Sequence, residues 1–256
     1  MDSPAGYLLN RKDGLVSLGG RGVAYDYILA GNGLWIEAEG RLLAARVLVA
    51  PAQVRGLAPL EPKVALRYGS IPQGLWDLAL NAMLADPSRE MYIAITWGGD
   101  SYHLQIPEQK RGAGGVSGIQ LPENRVMDLH SHCGMRAYFS STDNQDEQGL
   151  QLYAVVGELP HRPVVRLRMG IYAYFQEIPW AGVFHGELTG ATDALHGKYE
   201  IEVLEETDAF SEWWTQTGLA KLLAKLEWAD PEEKAEFLKL TGVVGNERLI
   251  TLEEDQ

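Results

Sequence analysis

The sequence predicts an α+β protein in three parts: a mixed sheet flanked by helices, an extra β-rich module before it, and a helical segment after it. Three observations carry this expectation. Short apolar runs separated by turn residues fill residues 1–68, an amphipathic helical pattern opens the middle part at residue 73, and two helical patterns follow residue 209. The expected boundaries are 1–68, 69–204 and 205–256, the last acidic.

In the first part, strands are expected at 7–9, 15–18, 24–29, 34–38 and 42–49, with Asn32-Gly33 as a hairpin turn because both residues tolerate positive φ. Pro51, Pro59 and Pro62 then mark irregular chain. In the second part, Leu75, Trp76, Ala79, Leu80, Met83 and Leu84 recur at helical spacing, giving a helix over 73–86 after Pro72. Strands are expected at 91–97 and 102–106, a glycine-rich flexible loop at 107–124, a buried strand at 150–156, and a hairpin from 164–167 and 171–175. Residues 199–204 alternate as a strand, and 210–228 and 231–240 read as helices, the second opened by Asp230-Pro231.

The 256 residues are long enough for a sizeable core, and the net charge of −13 opposes the phosphate backbone, so no nucleic-acid partner is expected. Residues 201–256 hold 14 acidic against 5 basic side chains, a local balance of −9. Cys133 is the single cysteine, no basic-plus-apolar leader precedes Met1-Asp2-Ser3-Pro4, and no apolar run approaches bilayer length. These observations point to a soluble, cytoplasmic protein without a membrane partner.

The chemistry concentrates in Asp128-Leu129-His130-Ser131-His132 and Ser140-Ser141-Thr142-Asp143. On a strand, side chains i and i+2 share a face, so His130 and His132 can reach one ion while Leu129 and Ser131 turn away. Two imidazoles and a carboxylate such as Asp143 make a zinc site with an open position. A chance match to H-x-H-x7-S-x-x-D in a chain of this length is on the order of one in a few thousand. Ser140 and Asp143 also read as the cap and first-turn acid of a helix, which is compatible with presenting a carboxylate to metal.

This segment resembles the zinc motif of the JAB/MPN (JAMM) metalloproteases, over residues 70–178. The resemblance implies a JAB/MPN-like fold, zinc held by His130, His132 and Asp143, and Ser140 donating to the oxygen of a tetrahedral intermediate. The family's general-base glutamate stands at the head of the strand after the first helix, the place of Glu90; Glu61, Glu108 and Glu123 are alternatives in proline-flanked loops. The implied activity is hydrolysis of an isopeptide or peptide bond after a ubiquitin-like tail. Within the family, the chain looks most like bacterial JAB proteins of cassettes with ThiF-like activating enzymes, the PRTRC system protein A type. That implies a ubiquitin-like precursor or conjugate as substrate, and E1-like and E2-like pathway proteins as partners. Other readings are a RadC-like DNA-associated protein and a non-catalytic scaffold.

The sequence departs from the family at Cys133-Gly134, where a proline is usual. Cys133 is expected to point away from His132 if the strand continues. Asp146 and Glu147 are expected as solvent-facing helix acids, with orientation of a ligand histidine as the second reading. His103, His161, His185 and His196 are isolated.

Overall fold

A computed structural model describes residues 3–195 and 227–228. In chain order its elements are β1 (Ala5–Arg11), β2 (Gly14–Ser17), β3 (Tyr25–Ala30), β4 (Gly33–Glu39), β5 (Leu43–Pro51), β6 (Lys63–Leu66), β7 (Ile71–Pro72), α1 (Gln73–Ala85), β8 (Tyr92–Trp97), β9 (Tyr102–Ile106), β10 (Lys110–Gly112) and β11 (Gly115–Ser117). They continue with β12 (Arg125–Ser131), α2 (Ser141–Asp146), β13 (Leu150–Gly157), β14 (Val164–Ile171), β15 (Tyr174–Ile178), a 3₁₀ turn at Trp180–Gly182, β16 (Phe184–His185), β17 (Thr192–Asp193) and β18 (Glu227–Trp228).

The N-terminal strands form one sheet in the order β2-β1-β3-β4-β5-β6. The expected hairpin joins β3 and β4, but its turn residues are Gly31 and Asn32: Gly33, at φ 149°, already pairs with Ala30 as the first residue of β4. The larger sheet runs β15-β14-β13-β12-β8-β9-β18, with β17 beside β14. Its centre is β12, antiparallel to β8 and parallel to β13.

The expected helix-flanked α+β architecture is not what the chain adopts. The described residues are mostly strand, with only two α-helices. The physical reason lies in what covers the large sheet. Helix α1 packs by β9, whereas β4 and β5 of the N-terminal sheet lie against β13, β14 and β15. Ile36, Ala38, Leu43, Ala45 and Val47 thereby join one hydrophobic cluster with Leu75, Trp76, Ala79 and Met83 of α1 and Ile93, Leu129, Ala154 and Leu167 of the large sheet. A second sheet buries the apolar face where a helical layer was expected.

Other differences are local. The glycine-rich loop contains the hairpin of β10 and β11. The β14–β15 hairpin turns at Tyr172 and Ala173, both with positive φ, rather than before residue 171. Glu227–Trp228, expected at the end of a helix, is a strand beside β9. The rest of that helix, the helix at 231–240 and the strand at 199–204 lie outside the described residues. No helix among the described residues is long and apolar enough to cross a membrane.

Candidate metal centre

The pattern of β12 separates its two faces. Met127 and Leu129 enter the core, while Asp128 and His130 face the other side. Ser131 also turns inward, fully buried, and its Oγ accepts the Met91 N–H at 2.9 Å. Ser131 N donates to Met91 O at 3.0 Å, so the serine between the histidines fastens the chain beside Glu90 to the histidine strand.

The strand ends at Ser131, and His132 N donates to Val156 O at 2.8 Å, which keeps His132 alongside His130. Their Nε2 atoms stand 3.1 Å apart, with ring centroids at 4.9 Å. Because the strand stops there, Cys133 does not continue the alternation. It takes a left-handed φ of 51° and its carbonyl accepts from Leu159 N, starting the return toward α2.

That return passes Gly157, where an added Cβ would meet Ala137 N at 2.3 Å and Arg136 C at 2.5 Å. Both obstacles are backbone. Gly157→Ala is therefore expected to destabilise the fold by about 1–3 kcal/mol, seen as a lower midpoint in urea unfolding.

Ser140 caps α2. Its Oγ accepts from Asp143 N at 3.2 Å, and Asp143 Oδ2 accepts from Ser140 N at 2.5 Å. This capping box leaves Asp143 Oδ1 facing His130 Nε2 at 3.5 Å. The ligand atoms of His130, His132 and Asp143 all lie within 4.8 Å of one another, a group able to hold a metal ion.

Electrostatics prepares these groups for a cation. Burial pushes His130 down to about 4, partly opposed by Asp143, so its imidazole is neutral at pH 7. Burial likewise lowers His132. Burial would raise Asp143, but His130, the two Ser140 hydrogen bonds and His132 outweigh it and bring the carboxyl below its usual value. Two neutral nitrogen donors and one anionic oxygen suit a borderline cation.

Glu90 is buried ahead of β8, its N–H donating to Gly112 O at 2.7 Å. Burial first, and then the charge of Asp143, push its carboxyl up to about 7. Tyr92 sits opposite His130 across the β8–β12 pair, which places the Glu90 end of β8 at the histidine end of β12. The structure thus brings Glu90, His130, His132, Ser140 and Asp143 to one end of the sheet. The alternative Glu61 precedes β6, on the sheet of the N-terminal module, and its carbonyl accepts from Arg46. Glu123 borders a separate open polar cavity with Thr96, Trp97, His103 and Asn124.

One residue departs from the sequence expectation and a second carried none. Glu147 is not solvent-facing: it is partly buried, with 11% of its side chain exposed, and pairs with Arg168 at 2.5 Å, whereas Asp146 is exposed. Arg168 itself was missed, although an arginine inside the apolar run of β14 is a usable signal of a buried polar partner. His103 lies near Ser101, and His196 is outside the described residues.

No known family profile and no curated protein matches this chain.

Proposed function

We propose that the chain is a zinc-dependent hydrolase of peptide or isopeptide bonds, of the JAMM type. The observation that carries this reading is the convergence of His130, His132 and Asp143 with a buried Glu90 whose carboxyl is pushed up to about 7. The H-x-H-x7-S-x-x-D spacing supports the same reading. Zinc suits the two neutral imidazoles and one carboxylate, a set that leaves room for water.

When bound there, zinc supplies Lewis acidity that acidifies water and polarises a carbonyl. Glu90 takes the proton of the attacking water and delivers it to the departing amine. Its buried position favours both halves of that transfer, because burial brings its affinity for a proton near neutrality. Ser140 Oγ accepts from Asp143 N, which leaves its O–H to donate to the developing oxyanion.

The motif resemblance extends the proposal to a ubiquitin-like precursor or conjugate as substrate, with activating and conjugating proteins as partners. A cytoplasmic setting accords with Cys133 as a lone, buried thiol. The charge of −13 disfavours the DNA-associated reading. The test is the purified full chain with a ubiquitin-like domain bearing a C-terminal extension. Stoichiometric zinc, cleavage at the tail, loss on treatment with 1,10-phenanthroline and recovery on adding zinc are expected. Undiminished cleavage by metal-free protein overturns the proposal.

A further inference from the structure

Helix α2 carries Asp143, yet it spans six residues and buries none of them. A helix this short is not held by its own backbone bonds, and without a buried stripe it is not held by apolar packing either. Its place depends on Arg168 of β14, which is almost fully buried. The Arg168 guanidinium lies 3.9 Å from the ring centroid of Phe139 and 3.9 Å from that of Phe175. Its Nε and Nη2 donate to Glu147 Oε2 at 2.8 and 2.5 Å, and its Nη1 donates to Asn144 Oδ1 at 2.6 Å.

These contacts bracket the ligand. Phe139 immediately precedes the cap Ser140, Asn144 follows Asp143, and Glu147 closes the helix. One side chain rooted in the sheet therefore grips α2 before, beside and after the carboxylate.

We propose that Arg168 is a positioning residue for the metal site: its clamp on Phe139, Asn144 and Glu147 holds α2 where Asp143 Oδ1 meets the two histidines. The inference rests on reading His130, His132 and Asp143 as metal ligands. Lysine cannot replace the clamp, because a compact ammonium does not fill the space between two rings while serving two acceptors in its plane.

The test uses the full chain stripped of metal, with zinc titrated against a chromophoric chelator and Co²⁺ absorption as a probe of coordination. Arg168→Lys is expected to raise the zinc Kd about 10- to 100-fold and to alter the Co²⁺ bands. A merely structural role would lower the unfolding midpoint while leaving the Co²⁺ spectrum of the folded fraction unchanged. Asn144→Ala provides a second variant should Arg168→Lys fail to fold. Asn144 is exposed, and its truncation removes one grip without opening the core; a Kd raised about threefold or more, at an unchanged midpoint, is expected. Wild-type zinc affinity and Co²⁺ spectrum in every folded variant overturn the inference and leave the metal site standing. Failure of the wild type to bind zinc overturns both.

Discussion

Replacing Glu90 by glutamine is expected to leave zinc in place and to cut hydrolysis about 10²- to 10⁴-fold, the usual contribution of a positioned general base. Glutamine keeps the shape and the backbone bond to Gly112 O but cannot take a proton. The pH profile separates loss of the base from a disturbed fold. With a carboxyl pushed up to about 7 in the metal-free site, wild-type activity rises as pH increases and Glu90 deprotonates. A bound cation favours the carboxylate and moves this limb below 7. The limb should vanish in Glu90→Gln. A stability measurement gives an independent reading with a definite sign. The folded carboxyl binds its proton more tightly than an unfolded glutamate with a value near 4.5, so Glu90 adds stability below that pH. In metal-free protein this stability is lost as pH rises from about 4.5 to about 7, and Glu90→Gln should flatten that decline. Comparable turnover by Glu90→Gln and wild type would transfer the base role to another group.

Removing His130 is expected to abolish stoichiometric zinc, with affinity falling by more than the about 100-fold that loss of a supporting residue costs. His130 Nε2 is the hub of the cluster, 3.1 Å from His132 Nε2 and 3.5 Å from Asp143 Oδ1. Zinc content of His130→Ala by elemental analysis, alongside its circular dichroism, checks this directly. In wild type the depressed histidines weaken proton competition, so zinc should be retained at pH 6, where an imidazole of ordinary value 6.5 is mostly protonated. Release of zinc at pH 6 with an ordinary imidazole profile would contradict the burial argument.

The sequence made the local elements around the site legible because their signals are local. The helical spacing from Leu75 to Leu84 anticipates α1, and the i, i+2 rule places His130 and His132 together. The capping box of Ser140 and Asp143 follows from spacing as well. What stayed illegible is what covers the sheet. Nothing local in Ile36 or Val47 reveals that they join one hydrophobic cluster with residues of the large sheet. The pairing of Arg168 with Glu147 was hidden for the same reason: it spans 21 positions, so even a buried arginine does not name its partner. Cys133 shows the limit of periodicity, because the strand rule fails two residues past the strand's last ladder contact at Ser131.

The capping box also bears on which ion the cluster would accept. Asp143 Oδ2 already accepts the backbone N–H of Ser140 at 2.5 Å, while Oδ1 is the oxygen that faces His130 Nε2. Calcium draws on six to eight oxygens and often on both oxygens of a carboxylate, while magnesium demands a near-ideal octahedron. A one-handed carboxylate beside two imidazoles offers neither. With Oδ1 as the coordinating atom, the set of two imidazoles and one carboxylate oxygen would suit a borderline cation better than the abundant hard cations of the cell.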